Sequence, residues 1–230
     1  MLFGSSQFSY FAIIGDIRAS REMAERGLIQ KKLRSVLDMV NERFGEDIAA
    51  GFTVTLGDEF QGLLSRGENI PEMIGMIERG MDPIRLRFGI GIGEITTEID
   101  RERAIGADGP AFYAARTAIL FLKNNENKNR VPLSDVRVES EKGNREYLAL
   151  INSVFSLITA IKATWTDRRR EIIWDMLEHR DNQNDVAERF HIKQPSVQKT
   201  LSKGYYYTYM EALDTIGASL RGIMSSEDPK

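Results

Sequence analysis

Two short segments carry the residues whose types and spacing suit chemistry. Asp16 follows the apolar run Phe8 to Ile14 through a single glycine, and Asp58 sits in Gly57-Asp58-Glu59 between two β-prone runs, Phe52 to Leu56 and Phe60 to Leu64. If those runs pair beside the first strand, both carboxylates reach one end of neighbouring strands and repel each other unless a cation lies between them. Mg²⁺ or Mn²⁺ suits that place, since a hard cation takes carboxylate oxygens and fills its other positions with water and substrate phosphates. Taken singly, each acid also reads as a turn residue or a helix cap; the pairing is what points to a metal. Glu59 and Glu94 also stand at element ends and read as exposed acids. The chain has no cysteine, and its two histidines, His179 and His191, lie far from the acid pair, which argues against a thiolate or imidazole site.

A second constellation lies near the C-terminus, in NQNDVAERFHIKQPSVQKTLSKG. Small Ala187 lets two helices cross closely, Ile192 plugs the corner, and Val197 with Leu201 anchor the second helix. That leaves Gln194, Ser196, Gln198, Lys199 and Thr200 for solvent, the arrangement of a DNA-binding helix-turn-helix. Glutamine can read adenine with two hydrogen bonds, and lysine and serine suit phosphates. A departure from that arrangement is the absence of glycine at the turn, where His191 stands, though polar residues such as His and Asn can adopt the left-handed backbone. An ordinary pair of packed helices is the competing reading.

The elements that must position these residues are legible in outline. The run at Phe8 to Ile14 is apolar on both faces, as a central strand is. Leu28, Leu33, Val36, Leu37, Val40 and Phe44 recur at helical spacing between Glu22 and Phe44. The runs flanking Asp58 form a hairpin. A second helix opens at Asn69 or Pro71 and ends at the Met81-Asp82-Pro83 corner. The strand RLRFGIGIGEI follows, with alternate glycines that let something approach its backbone closely. Pro110 opens a third helix through Leu122, NNENKNR breaks it, and Leu133 to Glu139 reads as an edge strand.

The order β-α-ββ-α-β-α-β excludes a doubly wound parallel sheet, because the hairpin forces antiparallel pairing. It predicts an α/β, ferredoxin-like βαββαβ domain with a mixed antiparallel sheet over residues 1–140. Residues 141–230 read as an all-helical domain, with the helix-turn-helix at about 183–203.

A net charge of −3 argues against a surface coated generally in nucleic acid, although Arg168, Arg169, Arg170, Lys193, Lys199 and Lys203 concentrate basic charge in the last third. The N-terminal stretch lacks the basic start of a signal peptide, and no run reaches the ~18 apolar residues of a membrane span. A cytoplasmic protein without a membrane partner is expected.

Four of these segments, in this order, resemble the class III nucleotidyl cyclases and, more distantly, the diguanylate cyclases: IIGDIRAS, TLGDEFQGLL, FGIGIGEI and GPAFYAAR. The resemblance implies metal binding by Asp16 and Asp58 with help from the Ile17 carbonyl, a purine nucleotide as ligand, a phosphate contact from Arg116, and a homodimer. Two positions depart from the pattern. Phe52 stands about where those cyclases carry a purine-reading lysine, and Phe112 where they carry an asparagine that acts in the transition state. Loss of a group that acts only in the transition state lowers turnover more than binding. The whole chain, tail included, is also similar to the SatD family. The leading expectation is therefore a DNA-binding regulator whose cyclase-like domain binds a purine nucleotide with Mg²⁺. The alternative is an active nucleotidyl cyclase, or a related enzyme that condenses nucleoside triphosphates by two-metal chemistry at Asp16 and Asp58.

Overall fold

The apolar run becomes β1 (Tyr10–Ile17), buried from Phe11 onward, and it holds Asp16 inside the strand instead of just beyond it. The structure is a computed structural model that describes residues 9–18, 25–55, 57–126, 128, 133–142 and 144–225. The expected strand start at Phe8, helix start at Glu22 and hairpin residue Leu56 lie outside them.

After β1 come α1 (Arg26–Arg43), β2 (Ile48–Val54), β3 (Glu59–Leu64), α2 (Ile70–Met81), β4 (Leu86–Gly93), α3 (Pro110–Asn125) and β5 (Val136–Ser140). The sheet runs in the order β2-β3-β1-β4-β5. β1 is antiparallel to both neighbours, β2 pairs antiparallel with β3, and β5 lies parallel to β4. This is the mixed sheet that the hairpin and the crossing helices require.

Period two along β1 sends its side chains to different layers. Phe11, Ile13 and Ile17 join Leu33, Val36, Leu37 and Val40 of α1 and Met73 and Ile77 of α2. Ala12 and Ile14 meet Ala111, Ala115 and Ile119 of α3 on the opposite face. The glycines of β4 explain how α3 fits: a Cβ at Gly91 would overlap the Ala111 carbonyl oxygen, and one at Gly89 would overlap that of Ala115. The backbone of α3 thus lies directly on β4.

The remainder is helical: α4 (Arg145–Ala163), α5 (Asp167–His179), α6 (Gln183–Arg189), α7 (Gln194–Lys203) and α8 (Tyr206–Ser225). The Asn144 side chain caps α4 by accepting from the Glu146 and Tyr147 amides. Helix α4 also closes the edge of β5. Asn152 accepts from the Val138 amide at 2.7 Å and donates to its carbonyl at 2.9 Å, while Thr159 Oγ1 accepts from the Asp135 amide. An edge strand whose backbone groups are satisfied offers no template for further pairing.

Among the described residues, α4 is the one helix with the length and apolarity of a membrane span. Here its Leu148, Ile151, Phe155 and Ile158 are buried within a core that runs unbroken from the sheet to Val186, Leu201 and Leu220.

Candidate metal and nucleotide site

Asp16 shares the pleat face of Ala12 and Ile14, so its carboxylate points under α3. Across the sheet it faces Glu59 on β3 and Arg87 on β4. Gly57, with φ of +67°, turns the β2–β3 hairpin, and Asp58 follows it at the tip. The Ile17 amide donates to the Asp58 carbonyl at 3.2 Å, which fastens the hairpin tip to the end of β1. The two acids therefore stand on adjacent strand ends.

Asp16 is nearly inaccessible, and protein cations face both of its oxygens. The Lys123 ammonium donates to Oδ1 at 2.9 Å, and the Arg87 Nε lies 3.2 Å from Oδ2. Burial pushes the Asp16 carboxyl above the ordinary aspartate range, Lys123 and Arg87 oppose that shift, and the charge of Asp58 adds to it. The repulsion between the two acids is thus a feature of the folded site. Arg87 is pinned further by Glu126 at 3.1 Å.

Arg116, in the middle of α3, reaches down to Glu59 at 2.6 Å. Glu59 is half-buried by this pairing, not the exposed hairpin acid expected. Gln61, two residues further along the same face of β3, donates to the Ala104 carbonyl at 2.7 Å and so holds the β4–α3 loop across the sheet. Phe112 is buried against Ala12 and Ile14, and Phe52 packs near Phe60. Neither position offers a polar group.

The site residues missed in the sequence are Arg87 and Lys123. The signals were present: Arg87 alternates with the glycines of β4, and Lys123 lies seven residues, two helical turns, beyond Arg116 on one face of α3. Neither signal names its partner until α3 is laid on β4.

As for a metal, no group of three or more His, Cys, Asp or Glu residues that could hold one is gathered among the described residues. The groups expected to hold one are the carboxylates of Asp16 and Asp58, on adjacent strand ends, with the Ile17 carbonyl. They are hard oxygens whose mutual repulsion suits a divalent ion, provided that one of the two cations on Asp16 gives way.

In the C-terminal helices, His191 adopts φ of +52° at the turn between α6 and α7, and Val186, Ala187, Val197 and Leu201 are buried there. Ser196, Gln198 and Lys199 are exposed. Gln194 departs from expectation: it is half-buried and donates to the Gln183 side chain, which in turn donates to Gln198. Thr200 is half-buried as well, donating to the Ser196 carbonyl at 2.9 Å. The side-chain bonds exist because Gln183, in the first turn of α6, faces the start of α7. Tyr206 and Tyr209 are core residues, whereas Tyr205 and Tyr207 are exposed.

The model of the SatD family matches residues 10–216, and the chain belongs to that family. No curated protein matches it. Similar solved structures include a bacterial light-regulated adenylyl cyclase, at 11% identity and a TM-score of 0.43, covering 57% of this chain and 75% of the other. The catalytic core of a rhodopsin-guanylyl cyclase with converted specificity, in complex with ATPαS, is 16% identical with a TM-score of 0.35, covering 48% and 71%. The adenylyl cyclase CyaB from P. aeruginosa is also 16% identical with a TM-score of 0.35, covering 47% and 70%.

Proposed function

We propose that the chain binds a nucleoside triphosphate together with Mg²⁺ or Mn²⁺ at Asp16 and Asp58 and acts on it as a nucleotidyl cyclase or related nucleotidyltransferase. The observation that carries this reading is the buried Asp16 carboxylate, beside Asp58 at the strand ends, with the α3 cations Arg116 and Lys123 above the same pleat. Asp16, Asp58 and the Ile17 carbonyl would hold the ion. When bound, a divalent ion there neutralises triphosphate charge and lowers the pKa of an attacking 3′-hydroxyl. Arg116 leaves Glu59 to orient a phosphate, a contact its planar fork suits. Buried Phe112 supplies no polar group to the transition state, so turnover is expected to be slow relative to binding.

Mass spectrometry of ATP and GTP incubated with the protein and Mg²⁺ or Mn²⁺ tests the chemistry. A cyclic or dinucleotide product that disappears with Asp58→Asn is the expected result. Recovery of unchanged triphosphate under all conditions contradicts turnover.

A DNA-binding regulator that senses a purine nucleotide is the second reading, favoured by the left-handed His191 turn and the exposed Ser196, Gln198 and Lys199. Gln194 contributes less to it than its position suggests, being occupied by Gln183. A gel-shift assay at low salt tests this reading. Lys199→Ala should weaken duplex DNA binding and flatten its salt dependence, and an unaltered shift would leave α6 and α7 as packed helices. A homodimer suits either reading, and Leu150 and Leu157, 66% and 64% exposed on one face of α4, give it an apolar surface to use. Sedimentation measures it.

A further inference from the structure

The two cations on Asp16 are held very differently. The Arg87 side chain is 8% exposed and bridges Asp16 and Glu126, so its withdrawal would take a counter-charge from two carboxylates at once. Lys123 is 36% exposed, stands in the last turn of α3, and places its ammonium on Asp16 Oδ1 at 2.9 Å. A compact, readily hydrated charge on a flexible four-carbon stem swings into water at small cost, which a buried guanidinium does not.

A metal held by the Asp16 carboxylate would have to compete with one of these two cations, and Lys123, on Oδ1, is the one that yields more readily. We propose that Lys123 is a built-in surrogate cation. It neutralises Asp16 while no metal is bound, competes with the divalent ion for Oδ1, and turns, once displaced, to the polyphosphate that arrives with the metal. Arg87 stays in place throughout and keeps Asp16 oriented. The inference rests on the metal-site reading above and adds a mechanism of access to it: the metal alone must displace an ammonium, whereas metal and triphosphate together give that ammonium a new partner. Metal and nucleotide are therefore expected to bind cooperatively.

Mn²⁺ titrated calorimetrically into the full chain without nucleotide is the test. Lys123→Met and Lys123→Gln should each bind Mn²⁺ about fivefold more tightly than the unaltered protein, the worth of a part-exposed ion pair. Both should bind tripolyphosphate with Mn²⁺ more weakly. Thermal melts of both variants establish that they fold. Mn²⁺ affinity that is unchanged or weaker in both variants overturns the proposal, and so does tripolyphosphate affinity that does not fall. Asp16→Asn in the same titration separates the two readings. If it leaves Mn²⁺ binding intact, the metal site falls and the role of Lys123 with it. If it abolishes binding while neither Lys123 variant binds Mn²⁺ more tightly, the surrogate role falls alone.

Discussion

Asp16 is costly to bury, and the protein meets that cost with alternating charges that run well beyond the site. Arg87 links Asp16 to Glu126, Arg18 joins Glu126 to Asp135 at 3.4 and 2.8 Å, and Lys162 joins Asp135 to Glu78 at 3.2 and 2.6 Å. Burial works against the Lys162 ammonium, but Glu78 and Asp135 more than offset it and hold its pKa above the ordinary lysine value. A group whose pKa is raised on folding stabilises the fold fully below its unfolded pKa, so this contribution persists through neutral pH and fades only in strong alkali as pH rises through the folded value. Lys162→Met, which strands the partly buried Glu78 and leaves Asp135 to Arg18 alone, should cost about 3 kcal/mol in chemical denaturation. A smaller cost after adding Glu78→Gln would identify the pair as the cause. At this scale the acids were legible because a glycine-flanked turn and a strand end are local features. Lys123 was not, since its partner lies 107 residues away.

The decisive element is α3, because its position over β4 determines where Arg116 and Lys123 point. Alternate glycines in FGIGIG announced that a backbone would come close; that this backbone would be α3 followed only from the packing. Its alanines Ala111 and Ala115 are the complementary half of that contact and are, as residue types, ordinary helix formers. Gly91→Ala should lift the helix from the strand and destabilise the protein by about 3 kcal/mol, the upper end of the overpacking range, because the obstacle is backbone and cannot repack. Nucleotide affinity should fall in the fraction that remains folded, and a variant with unaltered stability would show that α3 is not seated as described. The edge of β5 carries a similar lesson. A short edge strand was readable from its pattern, but the Asn152 side chain that completes it comes from a helix placed beyond the connector.

Across the whole molecule, the apolar core passes from the sheet through α4 and α5 to α7 and α8, and the charged chain from Asp16 ends on α2 and α4. The acid pair and the C-terminal helices therefore share packing as well as sequence. The order of elements, the hairpin and the helical tail could all be read from periodicity and turn residues, as could the left-handed turn at His191. The seating of Gln194 against Gln183 could not, since it depends on how two helices face each other. The proposed function turns on a divalent cation held by Asp16 and Asp58 for a nucleoside triphosphate. Calorimetric titration of ATP and GTP, with and without Mg²⁺, into the unaltered protein, Asp16→Asn and Asp58→Asn tests it most directly. Binding should require Mg²⁺ and weaken at least about tenfold in each variant, a difference of about 1.4 kcal/mol. Equal affinity without Mg²⁺, or unchanged affinity in both variants, would contradict it.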